Sequence, residues 1–143
     1  DELRSIVEHS ADALLLISDE ESARRPAPGK WSPREVIGHL IDAERIFAYR
    51  AMRFARNDAT PLPGFDENSF VDNAGFDSRS LADLAEEFEY TRKSNVYLFK
   101  SLDGDSSLRL GSANDNKISV RAIAYAIAGH ELHHVGILRS RYL

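Results

Sequence analysis

Near the end of the chain, "GHELHH" sets His130, Glu131 and His134 in the order H-E-x-x-H. On a helix, histidines four residues apart share one face, roughly 6 Å apart at Cβ. Two imidazoles so placed can hold one divalent cation at about 2.0–2.1 Å each. Helical zinc peptidases use the same spacing, with the glutamate as general base. Such a peptidase also needs a third ligand, normally downstream, and an edge strand for its peptide. Only the nine residues "VGILRSRYL" follow His134, and they contain no His, Asp or Glu. The peptidase pattern is therefore read as a coincidence of spacing, and the third ligand is sought upstream.

His39 is the best-placed upstream candidate. It lies three residues from Val36 and beside Leu40, on the edge of an apolar helical stripe. His130 and His134 interrupt a second such stripe, formed by Val120, Ile123, Ile127 and Ile137 or Leu138. Three imidazoles from two facing helices would hold a divalent cation and leave coordination positions open, as reactive sites do. The cation would make a bound water or thiol available as an anion near neutral pH. His133 is offset by about 60° from His130 and about 100° from His134, so a supporting or surface role is expected for it; His9 is assigned none.

Asp42, one turn after His39, and Glu131, next to His130, are the candidate catalytic carboxylates, placed to orient a ligand or shuttle a proton. A position on the solvated edge of the bundle is the competing expectation for both. Asp66 and Glu67 are expected at the mouth of the pocket or free in solvent.

Helices must position these groups. Leu3, Ile6, Val7, Leu14 and Ile17 give a helical period over residues 2 to 18, and "RRPAPGK" breaks it. "WSPREVIGHL" then carries a strong start signal: Ser32 as N-cap, Pro33 at the first helical position and Glu35 completing a capping box. The helix it opens is expected to run to about Arg56, on a stripe of Val36, Leu40, Ala43, Phe47, Ala51 and Phe54. Residues 57 to 79 read as a long polar loop whose Phe65, Phe70, Val71 and Phe76 fold onto the core or gate the site. Ser80 caps a third helix to about Ser101. Residues 102 to 117 read as a second polar connection, and Ser119 caps a last helix from Val120. No strand pattern longer than a few residues is visible. The expected fold is all-α, one domain over 1–143, a four-helix bundle with two long connections.

Composition narrows the function classes. Lys and Arg total 18 and Asp and Glu total 23, for a net charge of −5. That balance, with basic residues scattered, argues against nucleic acid as a partner. There is no cysteine, which excludes a disulfide scaffold, a thiolate metal site and a cysteine nucleophile. No apolar run approaches the roughly 20 residues that span a bilayer, so no membrane role is expected. The chain opens on Asp1 rather than methionine, so a few upstream residues are expected; without a secretion-signal pattern the reading is cytoplasmic.

"WSPREVIGHLIDAERIFAYRAMR", "TPLPGFDENSFV", "SLADLAEEFEYTR" and "SVRAIAYAIAGHELHHVGILRSRYL" together resemble the DinB-like superfamily, bacterial four-helix bundles that include metal-dependent hydrolases and thiol-dependent S-transferases. The resemblance spans nearly the whole chain, and "GHL" and "GHELHH" are its most specific parts. It implies a nickel or zinc ion on His39, His130 and His134, the same three that spacing selects. It further implies a small-molecule substrate, a low-molecular-weight thiol as cofactor, and room for a homodimer. Many members have no assigned activity, so a non-catalytic metal-binding or interaction bundle is the alternative expectation.

Overall fold

In the computed structural model, which describes Leu14 and residues 16–142, the helices begin on side-chain caps. Ser18 caps α1 (Asp19–Ser22), Ser32 caps α2 (Pro33–Ala55) and Asp66 caps α3 (Glu67–Ala74). Ser80 caps α4 (Leu81–Lys100) and Asp103 caps α5 (Gly104–Leu108). Ser119 opens α6 (Val120–Tyr142), its hydroxyl accepting the Ala122 N–H at 3.0 Å. Each cap satisfies an amide that the first helical turn leaves without a partner. The helix expected over residues 2–18 lies, except for its end, outside the described residues. From that end, Leu14 and Ile17 are both buried in the core.

The start of α2 is the most heavily tied point. Glu35 reaches back to the Ser32 N–H at 2.8 Å while the Ser32 hydroxyl accepts the Glu35 N–H, closing the capping box. The same hydroxyl donates to Asp77 at 2.6 Å, and Arg25 donates to Glu35 at 2.6 Å. α2 packs against both α4 and α6 and is the central helix.

Two connections hold more structure than their composition suggests. The stretch over 57–79, expected as a loop, contains α3 and a 3-10 turn, Phe76–Ser78. Asp66 caps α3 by accepting the Ser69 N–H at 3.1 Å, and Gly75, at φ 69°, ends it in the left-handed region that glycine adopts without strain. The stretch over 102–117 contains α5 and an antiparallel hairpin of β1 (Leu110–Ala113) and β2 (Asn116–Ser119), paired from Leu110↔Ser119 to Ala113↔Asn116. Its two turn residues, Asn114 and Asp115, both have positive φ, the geometry of a type I′ turn.

The core is split in two. One cluster gathers Val36, Ile37, Leu40, Ile41, Leu84 and Phe88, with Val71, Phe76 and Leu138. The other gathers Ala51, Phe54, Val120, Ile123 and Ile127, with Leu62 and Ala113 from the connections. Between them, on each of the three helices, lie ionisable residues. The fully buried stripe of α6 runs Val120, Ile123, Ile127, Glu131, Val135 and Leu138. This corrects the expected stripe: Glu131 lies inside it, not at a solvated edge, and His130 and His134 sit on its half-buried flank. Both readings continue the same helical period from Ile127 and differ by one residue, or about 100°, which sequence spacing cannot separate.

Gly38, beside His39, is where α3 and its turn are fastened. A Cβ at Gly38 would lie 2.3 Å from the ring of Phe76, so the ring packs directly on the backbone of α2. Gly to Ala inside a helix ordinarily gains about 0.5–1 kcal/mol. Here Gly38→Ala is expected to lose about 1–3 kcal/mol by overpacking, read as a lower urea midpoint. Adding Phe76→Ala to Gly38→Ala should cost less than Phe76→Ala does alone; simple additivity of the two changes would show that the close approach is not real.

Candidate metal centre

His39 is carried by the first turns of α2, and His130 and His134 by the middle of α6. One ring nitrogen from each of the three lies within 4.8 Å of the others. His39 Nε2 and His130 Nε2 are 3.0 Å apart. The ring centroids are separated by 4.8 Å for His39–His130, 4.9 Å for His39–His134 and 4.6 Å for His130–His134, all in edge-on arrangements. His133 is exposed and stands outside this group, its ring 5.1 Å from that of His134.

The environment keeps the three rings neutral. Burial pushes His39 down to about 4, helped by the neighbouring His130. Burial pushes His134 down to about 3, helped by His130, His39 and His133. His130 is lowered chiefly by burial and then by His133, with Glu44 acting in the opposite direction. Neutral imidazoles are the form that binds metal.

Two observations test whether the residues fit a cation. His134 Nδ1 is buried with no hydrogen-bond partner among the described residues, and buried polar atoms rarely go unpartnered. The 3.0 Å between the Nε2 atoms of His39 and His130 matches the roughly 3 Å expected between neighbouring ligands with bonds of about 2.0–2.1 Å. The donor set, imidazole without thiolate, suits zinc, nickel, copper and iron. The residues fit.

Aromatic rings close the centre on two sides. Trp31 lies 4.9 Å from the His39 ring and stacks on that of His134 at 6.5 Å, while Phe47 meets His130 edge-on at 5.8 Å. Beside His134 a pocket of about 140 Å³ opens, lined by Lys30, Trp31, Val36, Asn68, Ile137 and Tyr142 among others. Asn68 belongs to α3, so the connection that reads as a loop does contribute to the pocket wall.

The other expected residues are placed differently. Glu131 is 1% exposed and pairs with Arg92. Asp42 is half-buried on the flank of α2; burial raises its carboxyl above the usual range, with Arg45 opposing and Glu87 adding to the rise. No hydrogen bond joins either carboxylate to a histidine among the described residues. Asp66 caps α3, and Glu67 is exposed in its first turn.

Three residues escaped the sequence reading: Trp31, Glu44 and Arg92. Each had a signal. Trp31 directly precedes the N-cap and faces the pocket with Val36, the hydrophobic-staple pair. Glu44 falls on the buried stripe with Ile41, Ala48 and Ala51, and Arg92 continues Leu81, Leu84 and Phe88. A charge at a core position of a stripe is the mark that spacing alone offered.

The DinB superfamily profile matches residues 2–138. No curated protein is significantly similar to the chain. Among solved structures, YfiT from Bacillus subtilis, described as a probable metal-dependent hydrolase with an unusual four-helix bundle topology, is similar at 16% identity and a TM-score of 0.75. The match covers 99% of this chain and 86% of that one. A DinB-like protein, YjoA, also from Bacillus subtilis, is similar at 20% identity and a TM-score of 0.64, covering 95% of this chain and 87% of that one. At these identities the likeness establishes the fold, an all-α four-helix bundle with two short strands.

The depressed histidines predict a pH dependence for the metal-free protein. Their folded pKa values lie below the unfolded value of about 6.5, so below that pH the unfolded chain takes up protons that the folded chain refuses. Stability then falls with falling pH, over a window from about 6.5 down to the folded values of about 4 and about 3. The urea midpoint should be lower at pH 5.0 than at pH 7.5, and His134→Gln should flatten the difference. Equal midpoints for the wild type at the two pH values would contradict the burial of neutral rings.

Proposed function

The chain belongs to the DinB superfamily, and on that premise we propose that it is a divalent-metal-dependent enzyme acting on a small molecule, as a hydrolase or a thiol S-transferase. His39, His130 and His134 hold the metal. The observation that carries the reading is the convergence of three neutral imidazoles, one with an orphaned buried nitrogen, beside an open pocket. YfiT's description as a probable metal-dependent hydrolase lends further support.

A divalent cation held by three neutral ligands supplies Lewis acidity that lowers the pKa of a water or thiol, so that the anion is available near neutral pH. The chain's own groups do the rest. Burial keeps the three rings unprotonated, so protons do not compete for their lone pairs. Trp31 and Phe47 exclude bulk water from two sides, which strengthens electrostatic interactions inside. The pocket beside His134 admits the substrate, and Asn68, with the exposed Lys30, offers polar groups to orient it. The chain has no cysteine, so a thiol nucleophile enters as a low-molecular-weight cofactor. Nickel and zinc are the first ions to try.

Trp31 is the single tryptophan of the chain and lies against two of the histidines, which makes binding directly readable. Titration with Ni(II) is expected to quench its fluorescence saturably in the wild type and not in His134→Ala. Chelation should leave the far-UV circular dichroism intact, because the two apolar clusters are complete without the metal. It should lower the melting temperature by the linkage of binding, about 3–4 kcal/mol when the metal stood at 100 to 1,000 times its Kd. Across a panel of thiol–electrophile pairs, esters and amides, the loaded wild type should exceed His134→Ala by more than about a hundredfold on at least one substrate, beyond the loss of a merely supporting contact. Saturable binding with no turnover on the panel would remove the catalytic reading and leave a metal-binding bundle.

A further inference from the structure

Glu44, Arg92 and Glu131 come from α2, α4 and α6 and meet between the two apolar clusters. Their side chains are 3%, 3% and 1% exposed. Arg92 donates from Nε and Nη2 to the two carboxylate oxygens of Glu44, each at 2.9 Å, a bidentate pairing of the strong kind. Asn95 Nδ2 adds a hydrogen bond to Glu44 Oε1 at 3.2 Å. Arg92 Nη2 also approaches Glu131 Oε2 to 2.6 Å. That approach is a charge contact outside hydrogen-bonding geometry, so both Glu131 oxygens and Arg92 Nη1 lack a hydrogen-bond partner among the described residues.

The arrangement is unbalanced. One guanidinium against two carboxylates is a formal net charge of −1 inside the bundle, where an uncompensated charge is costly. The trio and the histidine centre share both ligand-bearing helices: Glu131 directly follows His130 on α6, and Glu44 lies five residues beyond His39 on α2. Three neutral imidazoles, for their part, give a divalent cation no counter-charge.

We propose that Glu44, Arg92 and Glu131 form the buried counter-charge of the three-histidine centre, with Arg92 as the positioning residue that ties the two ligand-bearing helices to a third that carries no ligand. The inference rests on the metal reading above. A cation brings +2 into the interior, and the trio offsets half of it without occupying a coordination position, which leaves the centre open towards its pocket. The two carboxylates act through charge, and Arg92 holds them apart from each other and in place.

The test separates charge from shape. Zn(II) affinity is measured by competition with a chromophoric chelator, and Ni(II) affinity by Trp31 quenching. Glu131→Gln keeps the shape and removes the charge; Glu131→Asp keeps the charge and alters the shape. Glu131→Gln should weaken both ions about tenfold or more, the range seen for groups that support metal ligands. Glu131→Asp should stay within a few-fold of wild type. Glu44→Gln, which leaves α6 untouched, should repeat the loss and carries the same expectation if Glu131→Gln does not fold. Glu89→Gln, which removes an exposed carboxylate paired with Lys93 on α4, should change neither affinity. Gln variants that bind both ions as tightly as wild type, whatever their melting temperature, overturn the proposal and make the trio purely structural. So does an Asp variant weaker than the Gln variant. A wild type that binds neither ion overturns the metal reading and this one together, so the two failures are distinguishable.

Discussion

A layer of ionisable side chains through the middle of a helical bundle is the constraint on which the rest of this structure depends. His39, His130 and His134 lie on one side of that layer, and Glu44, Arg92 and Glu131 bridge three helices across it. Burying such groups costs free energy unless they find partners. The helices must therefore come together in a single register, because a slip along any of them would set a charge or an imidazole against hydrocarbon. The apolar clusters above and below supply the favourable energy, and the layer between them selects the arrangement.

The ends of the molecule are built to hold that register. The capping box at Ser32 and Glu35, with Arg25 and Asp77 bonded into it, fixes where α2 begins, one turn before Val36 and two before His39. Tyr142, at the other end of α6 from Ser119, donates to the Trp31 carbonyl at 2.8 Å, which locks the last helix to the entry of α2 and holds the indole against the histidines. Phe76 seated on Gly38 brings α3, and with it Asn68, over the same corner. At the far end the hairpin docks on Phe54, whose ring leaves no space for a Cβ at Gly111. Both long connections thus serve as braces for the ends of α2.

Local signals carried much of this. Ser32, Ser80 and Ser119 marked three helix starts correctly because capping is a short-range interaction between a hydroxyl and amides a few residues on. His39, His130 and His134 come together in the structure; for the pair on α6 the four-residue spacing is itself a three-dimensional statement, whereas the approach of His39 needs the packing of α2 on α6. α3 was missed although Asp66 and Gly75 bracket it, because an eight-residue helix with one buried residue, Val71, leaves little periodicity to detect. The hairpin was missed for a similar reason: four-residue strands around Asn114 and Asp115 offer too few alternations.

What the sequence by itself determined is the set of elements that local chemistry can specify: three capped helices, the apolar stripes that make them pack, and a pair of histidines one turn apart. What only the tertiary structure decided is how those helices are rotated about their axes. A rotation of about 100° separates a chain in which His130 and His134 form the buried stripe and Glu131 meets water from the observed one, in which Glu131 is enclosed and His134 lines a pocket. The choice falls to Arg92, a residue on a third helix, because a buried carboxylate needs a cation near it, and no spacing within α6 could reveal where that cation would come from.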